Sequence, residues 1–231
     1  MKALLKYAMI FILLATSAAY AQTAALSNKK LNILTLGDSN GTFAWSWPKQ
    51  LQLALPNATV FNISKSGRTV GFLNNGDSTL NSLSVINENL KKAADATGDK
   101  PYDYIILDLG TNDGKAVFAD RQQDVPVNYQ KLITTIKTCK YATINKAKIV
   151  IISPTPYGNK AEITEKYKGG SARVKAMSEA FRKIAKQNKC LFVNGLDIPG
   201  LDIETMTPDG LHLDAAASRK LIEVVVAVML K

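Results

Sequence analysis

The sequence of 231 residues contains a single histidine, His212, so a serine activated by imidazole in this chain has one side chain to find. A serine hydroxyl is a weak nucleophile until a neighbouring base removes its proton, and imidazole is the usual base near neutral pH. The candidate nucleophile is Ser39, in Gly37-Asp38-Ser39-Asn40-Gly41, where the glycines permit close backbone approach. Alone, this is also an ordinary turn composition. Asp209 stands three residues ahead of His212 in Pro208-Asp209-Gly210-Leu211-His212. A carboxylate at that spacing in a turn can reach the imidazole Nδ1–H, fix its tautomer and stabilise the imidazolium.

Acyl transfer also needs donors aimed at a developing oxyanion. Gly110-Thr111-Asn112-Asp113 offers the Asn112 amide, and Ser66-Gly67-Arg68 offers a backbone N–H on a residue without Cβ. Each of these motifs by itself is an unremarkable turn. The elements that must position them give the conjunction its weight. Short apolar runs bounded by turn signals recur at 31–36, 59–63, 102–107, 148–152 and 190–193 and read as five strands. Helical patterning follows at 46–55, 80–96, 127–140, 172–187 and 215–230. Strands alternating with helices predict an α/β domain with a parallel sheet covered on both faces. Pro48 falls in the first turns of its helix and Pro101 precedes the third strand, so neither disturbs the scheme. The irregular stretches 64–79, 110–126, 153–170 and 194–213 each follow a strand. In open parallel sheets the crevice outside the carboxyl ends of the strands is the binding site, so these loops and the turn after the first strand should build one site.

The blocks Gly37-Asp38-Ser39, Gly67, Gly110-Thr111-Asn112-Asp113 and Asp209-Gly210-Leu211-His212, in that order, resemble the four signature blocks of the SGNH, or GDSL-like, hydrolases. The resemblance spans nearly the whole of 22–231. It implies a three-layer α/β/α flavodoxin-like sandwich with a five-stranded parallel sheet, and ester or thioester hydrolysis with no metal and no cofactor. It further implies Ser39 as nucleophile, His212 as general base and Asp209 as its orienting partner. The oxyanion hole would comprise the backbone N–H groups of Ser39 and Gly67 and the Asn112 side chain. Asn40, Arg68, Asp113 and Tyr157 are expected to contact substrate. Asn40 departs from the family's name, which puts a leucine after the serine; the chemistry is unaffected but the subfamily is left open.

Composition bounds the setting. With 46% hydrophobic and 21% charged residues, the chain fits one globular domain. Residues 1–21 read as a signal peptide: Lys2 and Lys6 precede the apolar run 8–14, and Ala19-Tyr20-Ala21 is a small-x-small cleavage site. The apolar run falls short of the ~20 residues a spanning helix needs. The mature domain, 22–231, is therefore expected outside the cytoplasm, secreted or periplasmic, without stable membrane insertion and as a monomer. The formal charge is +10, of which Lys2 and Lys6 carry two. The lysines are scattered with no dense basic run, which argues against nucleic acid as a partner. Cys139 and Cys190 fall at the same predicted edge of the sheet, where a disulfide is open but undecided by spacing alone.

For substrate, the expected loops carry Lys65, Arg68, Asn74, Asn75, Asp77, Lys115, Tyr157, Asn159 and Lys160. Such residues suit a polar ester better than a long acyl chain. The expected reaction is hydrolysis of a short acyl ester, acetyl in particular, on a small molecule or polysaccharide. Trp45 and Trp47 either pack in the core or stack on a sugar ring. A lysophospholipase, a thioesterase and a catalytically silent carbohydrate-binding protein are the alternatives.

Overall fold

The structure is a computed structural model and describes residues 28–230; the expected signal peptide, 1–21, lies outside the described residues. Strands β1 (Asn32–Gly37), β2 (Thr59–Asn62), β3 (Tyr104–Asp108), β4 (Lys148–Ile152) and β5 (Leu191–Val193) form one sheet in the order β2-β1-β3-β4-β5. Every pairing is parallel. The chain first steps outward from β1 to β2, then crosses back to lay β3 on the other side of β1. That reversal creates a crevice at the carboxyl ends of β1 and β3.

Among the described residues, six α-helices accompany the sheet: α1 (Trp47–Ala54), α2 (Ser82–Thr97), α3 (Asp124–Thr138), α4 (Asn159–Glu162), α5 (Gly170–Gln187) and α6 (Ala215–Met229). Because successive strand side chains point to opposite faces, each central strand supplies two cores. Ile105, Leu107, Ile149 and Ile151 pack with Leu90 of α2, Ile133 of α3 and Phe181 of α5. Ile106, Val150 and Ile152 face the other way, onto Trp47 and Leu51 of α1 and Leu221 and Val225 of α6. The sheet is therefore covered on both sides, which explains why β3 is apolar almost throughout and buried along its whole length.

The expected strands and helices are observed to within a few residues at their ends, and the short α4 lies within the stretch 153–170 expected to be irregular. Among the expected helices the largest shift is at α3, which starts at Asp124 and not at Val127. Pro126 thus lies inside the helix, but in its first turn, where a missing N–H forfeits no intrahelical bond. Side-chain caps set two starts that bear on the site. Asn81 accepts from the N–H groups of Leu83 and Ser84 at α2, and Asp214 accepts from Ala217 N at 2.8 Å at α6. The second cap ends the His212 loop at a defined point. Among the described residues, no helix is long and apolar enough to cross a membrane.

The two tryptophans separate. Trp47 is fully buried between α1 and the sheet, whereas Trp45, in the turn ahead of α1, is 45% exposed. Both cysteines are free thiols: Cys139 caps the end of α3 and Cys190 immediately precedes β5. Replacing Trp47 by Ala removes the largest fully buried side chain and leaves a cavity. The variant should lose about 3–5 kcal/mol of stability, read as a lower urea midpoint at unchanged slope; a loss under about 1 kcal/mol would contradict this packing.

Candidate active site

Four chain segments converge at the carboxyl edge of the sheet. Ser39 follows β1 directly and opens a short 3-10 turn, Ser39–Gly41, whose start is capped by Asp38 accepting from Asn40 N at 3.0 Å. Thr42 N returns to Ser39 O at 3.0 Å, so the serine sits on a closed, rigid turn. His212 arrives from the loop between β5 and α6. Its Nε2 lies 2.9 Å from Ser39 Oγ and its Nδ1 2.6 Å from Asp209 Oδ2. The other Asp209 oxygen accepts from the backbone N–H of His212 at 2.8 Å and of Leu211 at 3.0 Å. The carboxylate therefore shapes the loop that carries the imidazole and orients the ring as well.

Asn112 follows β3 on a second 3-10 turn, and its Nδ2 donates to Arg68 O at 3.1 Å. That bond ties the loop after β2 to the loop after β3 and turns the amide toward the cleft. Gly67 has φ +80°, a left-handed conformation that a residue without Cβ adopts at little cost. Asn74 Nδ2 donates to Gly67 O, fixing that peptide plane. Among the described residues, no protein group accepts the backbone N–H of Ser39 or Gly67. Ser39, Gly67, Asn112 and His212 line one cleft of about 270 Å³, together with Ser66, Asn74, Asn75, Leu80, Lys115, Lys166, Tyr167 and Leu211. A larger groove of about 460 Å³ between α1 and α6 is lined by Leu53, Ala54, Ile222 and Val226 among others and holds neither Ser39 nor His212.

The profile of the GDSL-like lipase/acylhydrolase family matches residues 34–220. The chain belongs to that family. This SGNH membership makes it a carboxylic ester hydrolase. No curated protein matches the sequence significantly. Among solved structures, a carbohydrate acetylesterase from Sinorhizobium meliloti is similar at 22% identity and TM-score 0.70, covering 85% of this chain and 97% of that one. A carbohydrate acetylesterase family member from the same organism shares 24% identity at TM-score 0.69, covering 87% and 99%. The aryl esterase of M. smegmatis shares 24% identity at TM-score 0.69, covering 85% and 96%. These likenesses are of fold.

Within this SGNH hydrolase, the residues expected to contact substrate, Asn40, Arg68, Asp113 and Tyr157, are at most 5% exposed and are not among the side chains that line the cleft. Asn40 spans to the His212 loop, accepting from Leu213 N at 2.9 Å and donating to Leu211 O at 3.4 Å. Arg68 donates to Ile63 O. Asp113 accepts from Val70 N with both oxygens, at 3.0 and 2.9 Å. Tyr157 donates to Thr111 O. Their physical task is to satisfy buried backbone groups of the site loops. The cleft is lined instead by Asn74, Asn75 and Lys115, which stand out in the sequence only as polar loop residues, and by Lys166 and Tyr167 from the loop after β4. The sole signal for the last two is that position after a strand. Asp77, Tyr157, Asn159 and Lys160 lie outside the cleft lining.

The electrostatics follow from burial. Asp38 and Asp108 are neighbours close to Ser39. Burial raises the pKa of both, and the nearby Asp38 charge drives Asp108 further up, well above the usual carboxylate range. Burial pushes Asp113 to about 7, against the Val70 N–H that favours its ionised form. Asp209 behaves oppositely. Partial burial works against its charge, but the backbone N–H and imidazole of His212 outweigh it and hold the carboxyl below the usual range.

Two outcomes are expected. Asn40→Ala cuts the two Asn40 bonds to the His212 loop, so kcat on an ester should fall about tenfold with the fold retained by circular dichroism; unchanged kcat would show that the loop needs no such tie. For Asp113, the folded pKa near 7 exceeds the unfolded value of about 3.9. Its native-state advantage is then full below about pH 4 and is lost as pH rises through about 7. The stability gap between wild type and Asp113→Asn should accordingly be larger at pH 4.5 than at pH 8 in urea titrations, and a gap that widens toward pH 8 would reverse the assignment.

Proposed function

We propose that this ester hydrolase is an exported, monomeric serine esterase that removes short acyl groups, acetyl above all, from carbohydrate through an acyl-enzyme on Ser39. The observation that carries the reading is the continuous contact Ser39 Oγ to His212 Nε2 to Asp209, at 2.9 and 2.6 Å, opening onto a small polar cleft. In this mechanism His212 Nε2 takes the Oγ proton as Ser39 attacks the ester carbonyl. The tetrahedral oxyanion is held by the N–H groups of Ser39 and Gly67 and by Asn112 Nδ2. His212 then passes the proton to the departing alcohol oxygen as the carbon–oxygen bond breaks. Water, deprotonated by the same imidazole, attacks the acyl-enzyme and returns Ser39 with its hydrogen.

The size and lining of the cleft favour a short acyl chain. Leu80 and Leu211 are the aliphatic side chains among residues that are otherwise mostly polar, so a long chain would find little apolar surface to cover. Carbohydrate is supported by the aromatic surface on the histidine side. Trp45 stacks on Phe43 with centroids 5.2 Å apart, and Phe43 meets the His212 ring edge-on at 5.4 Å. Trp45 Nε1 donates to Leu213 O at 3.2 Å, which holds its ring in place while 45% of the residue stays exposed. An immobilised exposed aromatic face beside a reactive centre suits a sugar ring. Fold alone does not assign substrate, so the weight rests on this cleft.

Purified wild type should release nitrophenolate from p-nitrophenyl acetate faster than from a longer-chain ester, and Ser39→Ala should lose at least about a thousandfold in kcat with its fold intact. Equal turnover by the two proteins would reject Ser39, and preference for the long chain would point to a lysophospholipase or thioesterase.

A further inference from the structure

Lys115 is 4% exposed, yet it lines the cleft beside Ser39. Its Nζ donates to Asn74 Oδ1 at 3.0 Å, a neutral acceptor, and an ammonium has three N–H donors to satisfy. Among the described residues, Lys115 and Lys166 form no ion pair. A buried cation without a counter-charge is costly unless something else supplies one. Asp38 and Asp113 attract Lys115 through space, but burial favours the neutral form of both. Lys166, exposed on the same cleft, adds a second positive charge, and its Nζ sits 5.1 Å from the centre of the Tyr167 ring. Among the described residues, no Asp or Glu lines this cleft. Burial first, then repulsion by Lys166, lower Lys115 to about 8. The groups facing Lys115 are thus two acids held toward neutrality, a lysine and an amide.

We propose that the cleft is built for esters whose polar part carries an anion, a carboxylate or a phosphate, seated between Lys115 and Lys166. The proposal rests on the esterase reading above and names its substrate class: acylated acidic sugars and their like, not neutral ones. The anion supplies the missing counter-charge and takes charge-assisted hydrogen bonds from Lys115. Asn74 links this seat to the reaction, because the same side chain that accepts from Lys115 donates to Gly67 O. Filling the seat therefore acts on the carbonyl of Gly67, the residue whose own N–H is assigned to the oxyanion.

The test compares 4-acetoxybenzoate and 4-acetoxyphenyl phosphate with neutral methyl 4-acetoxybenzoate. Wild type should favour one or both anions over the neutral ester by about tenfold in kcat/KM, through KM, and the anion preferred identifies the carboxylate or phosphate class. Lys115→Met and the surface variant Lys166→Glu should each bring that ratio toward one. Lys92→Met on α2, an exposed lysine paired with Glu88, should leave the ratio as it is, which separates a local seat from the overall positive charge. Above about pH 8 the preference should fade as Lys115 loses its proton. A wild-type ratio of one or less, or a ratio untouched by both cleft variants, overturns the proposal. If wild type cleaves none of the esters, the esterase reading fails separately. Calorimetric binding of 4-hydroxybenzoate against methyl 4-hydroxybenzoate then decides the seat, and binding no tighter for the anion rejects it.

Discussion

The site depends on one hydrogen bond between residues 173 positions apart, His212 Nε2 to Ser39 Oγ at 2.9 Å. With a single imidazole in the chain, no other side chain can replace it, so the fold must deliver the loop after β5 to the turn after β1. A parallel sheet does this without special devices, because every strand ends at the same edge. Crossing β3 back beside β1 then leaves a crevice at the switch point, flanked by Ser39 on one side and Asn112 on the other.

Bringing loops together at that edge buries polar backbone, and the structure answers with side chains. Asn40, Asp113 and Tyr157 each bond a backbone group of a neighbouring site loop, and Arg68 bonds the Ile63 carbonyl at the start of its own loop. An unpaired buried donor or acceptor costs about 1–3 kcal/mol, so these bonds hold the loops in one arrangement. Gly110 shows the same crowding: it sits at φ +120°, and a Cβ there would approach Pro154 Cγ to 2.7 Å.

Beneath the cleft, burial sets the charges. The acids Asp38, Asp108 and Asp113 are pushed toward their neutral forms, whereas Asp209, held at the rim by N–H donors and the imidazole, stays ionised more readily. Positive charge is left in excess where the cleft opens, on Lys115 and Lys166. The carboxylate that orients the histidine and those that support the floor thus differ by environment and not by residue type.

The sequence by itself determined the alternation of strands and helices, the order of the four blocks and the membership of Ser39, Asp209, Asn112 and His212 in one edge. These are legible because periodicity reports burial and because every block follows a strand. The helix start at Asp124 was less legible, since Pro126 reads as a breaker unless the first-turn exception is applied. Only the tertiary structure decided which polar loop residues face the cleft. Asn40 and Asp113 lie next to site residues in the chain but turn inward, while Lys115 and Lys166 turn to the cleft. Loop side-chain direction has no period; it is set by which neighbouring backbone groups, distant in sequence, need a partner. The same reason separates Trp45 from Trp47, two residues apart, one exposed beside the histidine and one sealed in the core.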